Sequence, residues 1–293
     1  MDTDEKWFAY EITVASEAAE AIEFGLSECY ALGTEINNLG VTPTETLTVI
    51  GYFGELPDEE NLTNHLKEAL RIYNFEPDAI REINSRRIGD VDWLFEWKKH
   101  WKPTVTEKFI IAPSWEKIES TDKIVVFIEP NMAFGTGTHE TTKLCLKAIG
   151  EHYEGGMSFL DVGTGTGILA IAAAKTNYKS QISNSRLSGC DTDANSIKIA
   201  EENAALNEVK EIDFFVGSIS AETPAADFVC ANILLEVIVT ILPILLEKTG
   251  NILILSGILK KQETVIADEL VKLSVADYKI ETDGEWISVT IRR

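Results

Sequence analysis

The chain has 293 residues, 45% of them apolar, and a net charge of −22, which is enough apolar material for two ordinary domains with separate cores. No uninterrupted apolar run reaches the roughly 18 residues of a membrane helix, and the acidic start MDTDEKW lacks the positive n-region of a secretion signal. A cytoplasmic protein with no membrane association is therefore expected. Cys29, Cys145, Cys190 and Cys230 are too scattered for a zinc or redox motif and read as small buried hydrophobes in a reducing compartment, so no metal site is expected.

The charge is uneven, because residues 1–60 hold 14 Asp or Glu against one base, Lys6. Such a surface repels phosphate backbones and either keeps the chain in solution or attracts a basic partner. Direct nucleic-acid binding is not expected.

In chain order, KWFAYEITVA alternates as a strand, SEAAEAIEFGLSECYALG has helical spacing between a Ser start and a Gly stop, and TETLTVIGYF returns to strand. PDEENLTNHLKEALRIYN predicts an amphipathic helix, AIREINSRRIG a strand, and GTEINNLGV a further strand before TETLTVIGYF. That β-α-β-β-α-β order fits a ferredoxin-like sandwich. A tryptophan-dense connector follows, in which Trp93, Trp97 and Trp101 are spaced to share one side of a helix that Pro103 ends, with Trp115 beyond. The stripe either packs the connector onto a domain or forms a hinge or substrate-contacting surface.

From about residue 123, strands alternate with helices, as in a doubly wound parallel sheet. Strands are predicted at FLDVG, LSGCD, IDFFVG, DFVCANI and NILILSGI. Helices are predicted at TTKLCLKAIGEHY, GILAIAAAK, NSIKIAEENAALN, LLEVIVTILPILLE and KQETVIADELVKL. YKIETDGEWISVTIRR predicts a hairpin turning at Asp283-Gly284.

DVGTGTG, residues 161–167, is a glycine turn between a strand and a helix. A dinucleotide fingerprint needs its third glycine where this chain has Ile168, and no Gly-Lys-Ser or Gly-Lys-Thr of a P-loop follows. Asp161, ahead of Gly163, Gly165 and Gly167, would repel pyrophosphate and attract a cation. S-adenosylmethionine meets that demand, with a sulfonium and an ammonium and no phosphate. Asp191 ends the next strand, where its oxygens can accept ribose hydroxyls, while Asp193 and Asn195 fit helix entry. Upstream, EPNMAFGTGTHETTKLCLKAI is a loop running into a helix, with Thr138 as the expected N-cap and Thr141 or Thr142 offering a hydroxyl to a ligand. His139 is either a capping residue or a base. Asn232, at the C-terminal end of the fourth predicted strand, can offer its side-chain oxygen to an incoming amine N–H, or cap the next helix.

AFGTGTHETT, FLDVGTGTGILAIAA, DTDANSIKIAEENAALN, ANIL and LSGIL, with DWLFEWKKHWKP and IIAPSW upstream, together resemble the ribosomal protein L-eleven methyltransferase (PrmA) family of the class I S-adenosylmethionine-dependent methyltransferases. The resemblance spans about residues 90–293 by motif and the first ninety by domain order. It implies an α/β architecture: a ferredoxin-like substrate-recognition domain over 1–90, a mobile Trp-rich linker over 91–122, and a Rossmann-like seven-stranded methyltransferase domain over 123–293. It also implies methylation of the α-amine and lysine ε-amines of ribosomal protein L-eleven, free or on the large subunit, with cofactor contacts at Thr142, Gly163, Asp191 and Asn232. The expected mechanism is in-line transfer to a neutral amine that Asn232 orients. KTNYKSQISNSR, residues 175–186, is longer than the family pattern and is expected to be a surface insertion. A small-molecule or RNA methyltransferase, or a non-catalytic ribosome-assembly module, are the alternative functions.

Overall fold

The computed structural model describes residues 7–29, 31, 33–37, 46–88, 103–129, 137, 139–182 and 185–293. The chain forms two compact units, Met1–Trp101 and Lys102–Arg293. Trp93, Trp97 and Trp101, the proposed stripe, lie outside the described residues.

The first unit runs β1 (Trp7–Ala15), α1 (Ala19–Glu28), β2 (Gly33–Asn37), β3 (Thr46–Phe53), α2 (Glu59–Ile72) and β4 (Ile80–Ile88). Its sheet has the order β2-β3-β1-β4, with every neighbouring pair antiparallel. That is the ferredoxin-like arrangement. Ile12 and Val14 alternate inward along β1 and are fully buried, as are Ile22 and Leu26 of α1, and Leu62, Leu66 and Leu70 recur along the buried stripe of α2. Asp58 starts α2 by accepting the Asn61 N–H at 3.2 Å.

The second unit opens with a small sheet of β5 (Thr104–Val105), β6 (Phe109–Ala112) and β7 (Ile124–Phe127). Phe109, Ile111 and Val126 are fully buried and pack into the same core as Phe159, Ala170 and Phe228. The second compact unit is Lys102–Arg293, and within the expected linker residues 104–105 and 109–112 form strands, Phe109 and Ile111 being core residues. The remaining elements are α3 (Glu140–His152), β8 (Phe159–Val162), α4 (Ile168–Lys179), β9 (Leu187–Asp191), α5 (Ala194–Leu206), β10 (Ile212–Val216), β11 (Ala226–Asn232), α6 (Leu235–Lys248), β12 (Thr249–Leu259), α7 (Glu263–Lys272), β13 (Tyr278–Asp283) and β14 (Trp286–Arg292).

The large sheet has the order β10-β9-β8-β11-β12-β14-β13. Its strands run parallel through β12, and β14 inserts antiparallel to both β12 and β13. The β13–β14 hairpin pairs Asp283 with Trp286, so Gly284 and Glu285 form the turn, one residue later than expected. Gly284 has φ +57°, as a type II′ turn requires at its first central residue. Strand order reverses between β8 and β11, which opens a crevice at the carboxyl ends of these two strands.

The expected insertion is only partly a loop, since residues 175–179 continue α4. Within it Thr176 and Asn177 are buried. The Thr176 hydroxyl donates to Ala172 O, and Asn177 Oδ1 accepts from Tyr153 Oη and Gly156 N.

Candidate active site

The glycine turn lies at the end of β8. Asp161 and Val162 pair with Gly189 and Cys190 of β9 on one side and with Cys230 and Ala231 of β11 on the other. The chain then leaves the sheet, and Gly163 N and Thr164 N both donate to Cys190 O at 2.9 Å. Gly163, Gly165 and Gly167 all have positive φ, +75°, +52° and +80°. Gly167 starts α4 from the left-handed region, which only glycine adopts at little cost. A Cβ there would also lie 3.0 Å from Ala200 Cβ of α5.

Asp191 holds this turn from β9. One carboxylate oxygen accepts the Gly165 N–H and the other the Asp193 N–H, each at 3.0 Å. Each oxygen keeps acceptor capacity for a further donor. Asp193 instead caps α5, accepting from Asn195 N at 3.0 Å and Ser196 N at 3.2 Å.

The opposite wall is built from β11, β12 and α3. Asn232 pairs in register with Ser256, and the buried Ser256 hydroxyl lies 3.3 Å from Thr141 O and 3.4 Å from Ile287 O. A serine at this place joins α3 to the sheet beside Asn232. The N-cap of α3 is His139. Thr138, the expected cap, lies outside the described residues. His139 Nδ1 accepts the Thr141 N–H at 3.3 Å and lies 2.8 Å from the Thr141 hydroxyl. Its ring meets Trp286 edge-on at 5.0 Å. Burial pushes its pKa down, with Lys143 adding to the effect and Glu140 opposing it. The imidazole is thus a neutral cap whose Nδ1 is already engaged.

Three side-chain atoms of this region are buried without a hydrogen-bond partner among the described residues: Asp161 Oδ1, Thr142 Oγ1 and Asn232 Oδ1. An unsatisfied buried polar atom costs about 1–3 kcal/mol, and these three belong to the carboxyl ends of the adjacent strands β8 and β11 and to the first turn of α3, where a ligand's polar groups could satisfy them. Asp161 is 0% exposed, and its other oxygen accepts from the Thr164 hydroxyl at 2.8 Å. Burial raises its carboxyl to about 7, against the hydrogen bonds of the Thr164 hydroxyl and the Ala170 backbone N–H and with the charge of Asp191 adding to the rise. A cation beside it would favour the ionised form. The carboxyls of Asp161 and Asp191, with the unpartnered hydroxyl of Thr142 and amide oxygen of Asn232, are acceptors of the kind that the cationic methionine end and the ribose of S-adenosylmethionine call for and a phosphate does not. Seven strands in this order, with the glycine turn after the first of the parallel set, make the second unit a class I S-adenosylmethionine-dependent methyltransferase.

Comparison with known proteins narrows the class. The family model "Ribosomal protein L11 methyltransferase (PrmA)" matches residues 6–293. A relative of that description from Acetivibrio thermocellus is 32% identical over 314 aligned positions covering 98% of each chain. Another, from Macrococcus caseolyticus, is 34% identical over 86% of this chain and 81% of its own. The crystal structure of the ribosomal protein L11 methylase of Lactobacillus delbrueckii subsp. bulgaricus superposes with a TM-score of 0.59 at 31% identity, over 66% of this chain and 99% of that one. The chain belongs to the ribosomal protein L11 methyltransferase family.

Three contributors to the site carry no expected role. Gly257, in LSGIL, has φ +81° at a bulge in β12, and a Cβ on it would lie 2.4 Å from Ile233 O. Glycine inside a strand pattern is the signal that marks such a close approach. Ser256 sits beside it. Asn203, buried on α5, donates to Thr166 O of the glycine turn at 3.0 Å and accepts from Glu129 N at 3.0 Å. A buried asparagine on a helix face carries no motif, so only the fold shows its task.

Proposed function

We propose that this enzyme transfers methyl groups from S-adenosylmethionine to amines of ribosomal protein L11, both the α-amine and lysine ε-amines, in the cytoplasm. Family membership supports the substrate protein and the cofactor. The observation that carries the amine chemistry is Asn232: its Oδ1 is a buried acceptor with no donor among the described residues, at the carboxyl end of β11.

When bound, S-adenosylmethionine supplies an electrophilic methyl group on a positively charged sulfur. Asp191 would hold the ribose hydroxyls, while Asp161, under the glycine turn, would favour the cationic methionine end and Thr142 would offer a hydroxyl. Asn232 Oδ1 accepts an amine N–H and so points the nitrogen lone pair away from itself, toward the crevice. An ammonium has no lone pair, and ordinary values near 8 for an α-amine and 10.4 for lysine leave most of either protonated at pH 7. Withdrawal into the crevice disfavours the charged amine, and the proton leaves to water. His139, neutral and engaged at Nδ1, orders the start of α3 rather than taking this proton. Alignment between Asn232 and the opposite wall then supplies the remaining acceleration.

The first unit is proposed to recognise the substrate. Its strongly acidic sequence, with 14 acids against one base over residues 1–60, complements a basic ribosomal protein. The test of the reading is Asn232→Ala: turnover on ribosomal protein L11 should fall by about a hundredfold while calorimetric affinity for the cofactor changes little. An unchanged turnover number would remove Asn232 from the chemistry.

A further inference from the structure

The family resemblance leaves residues 175–186 without a task, yet their helical part forms one wall of a cleft at the far end of α4 from the glycine turn. The cleft has a volume of about 380 Å³ and is lined by Lys123, Lys175, Tyr178, Lys179, Asn207 and Glu208 together with Ile124 and Val125. Lys108 stands next to it, because its carbonyl accepts the Ile124 N–H at 2.9 Å.

These four lysines stand close together in a chain of charge −22. Exposed lysines elsewhere in the second unit, such as Lys147, Lys272 and Lys279, have carboxylates within 3.0 Å. Among the described residues, Lys108, Lys123, Lys175 and Lys179 have none at ion-pair distance. Lys123 Nζ donates to the carbonyls of Thr106 and Glu107, and Lys179 Nζ to that of Asp122. An ammonium has three donors, so both keep N–H groups free.

Burial lowers the pKa of Lys175, with Glu208 opposing. Burial lowers that of Lys108 as well, and the charge of Lys179 adds to it. Among the described residues Glu208 is the one carboxylate lining the cleft. Nearby Glu211 accepts from the Tyr178 hydroxyl. Lys175 and Lys179 complement the dipole at the C-terminal end of α4. That accounts for two of the four and not for Lys108 and Lys123, which come from the β6–β7 region.

We propose that this cleft is a phosphate-binding site, with Lys175, Lys179 and Lys123 as its donors and Lys108 reinforcing the field. The group bound is a phosphodiester of an RNA backbone or a free phosphate compound. The inference stands on the lysine cleft alone and does not depend on the methyl-transfer reading.

The test titrates the full-length chain, saturated with S-adenosylmethionine, with pyrophosphate and with a short fluorescent single-stranded RNA at low ionic strength. The expected result is saturable binding that the double substitution Lys175→Gln, Lys179→Gln weakens at least about tenfold, with cofactor affinity and thermal midpoint unchanged. Pyrophosphate that displaces RNA would assign the cleft to the RNA backbone, and binding of pyrophosphate alone to a free phosphate compound; either supports the proposal. Should the double variant fold poorly, protection of Lys175 from acetylation by pyrophosphate in the unaltered chain reads the same contact. Absence of saturable binding by both probes, or equal binding by the lysine variant, would overturn it.

Discussion

The Ile233 side chain closes directly over Gly163: a Cβ built on Gly163 would stand 2.3 Å from Ile233 Cγ2. From the other side, Gly257 lets the Ile233 backbone approach so closely that a Cβ would meet its O, C and N at 2.4, 2.9 and 3.0 Å. Two glycines far apart in sequence thus clamp the residue that follows Asn232. Both also have positive φ, which costs a substituted residue roughly 1–2 kcal/mol before any clash.

Gly163→Ala and Gly257→Ala should therefore each destabilise the protein, by about 2–5 kcal/mol when strain and overpacking are combined. Gly257→Ala should be the more harmful to turnover. At Gly163 the obstacle is a side-chain methyl that can rotate, whereas at Gly257 it is backbone that must carry Asn232 with it. Denaturant melts and steady-state kinetics on both variants check this, and equal turnover in the two would separate the clamp from the placement of Asn232.

Asp161 makes stability depend on pH. In the unfolded chain it ionises near the ordinary 3.8, and in the folded chain it stays neutral up to about 7. Below pH 3.8 both states are protonated. Between these values the unfolded state alone gains from ionising, so the folded state without cofactor loses up to the order of 4 kcal/mol as pH rises to 7, and no more above that. Asp161→Asn should abolish this part of the slope. Urea midpoints of both proteins at pH 5 and pH 7.5 decide the point: a difference between them that does not change with pH would contradict the buried neutral carboxyl. The cofactor's cationic end prefers the carboxylate, so its affinity should rise toward pH 7 in the unaltered protein and stay level in Asp161→Asn.

Asp191 holds the backbone N–H groups of Gly165 and Asp193 and is proposed to receive the ribose as well. Asp191→Ala should lower cofactor affinity by about 1.5–3 kcal/mol, roughly ten- to a hundredfold, and lower thermal stability as well. Asp191→Asn retains an acceptor and should recover part of the stability but less of the affinity. Calorimetric titration beside a thermal melt separates the two losses.

If the acidic first unit attracts a basic substrate, the KM for ribosomal protein L11 should rise steeply with salt, since charges more than about 8 Å apart are screened at physiological ionic strength. The turnover number at saturation should change little. A KM independent of salt between low and high ionic strength would count against electrostatic recognition.

Much of this architecture is legible in the residues themselves. The strands of the large sheet are apolar runs ended by Gly, Asp or Asn, and its helices have caps and periodicity, so their order can be read. β5 and β6 escape such reading because they are two and four residues long and flanked by Trp, Lys and Pro, and only tertiary burial of Phe109 and Ile111 makes them strand. The end of α4 escapes it because Thr176 and Asn177 look like surface polar residues, whereas the fold buries both and bonds them internally. At the site, residue type and strand-end position point to Asp161, Asp191 and Asn232. The protonation of Asp161, the capping by His139 and the clamp on Ile233 are relations between elements distant in sequence. None of these has a local signature except the glycine of LSGIL.

The most direct measurement is intact-mass spectrometry of purified ribosomal protein L11 after incubation with this chain and S-adenosylmethionine, followed by peptide mapping. Successive methyl additions at the N-terminal α-amine and at lysine ε-amines, absent with Asn232→Ala, are the predicted result. An unmodified L11 in the presence of a folded, cofactor-binding enzyme, or methyl groups found only on RNA or a small molecule, would contradict it.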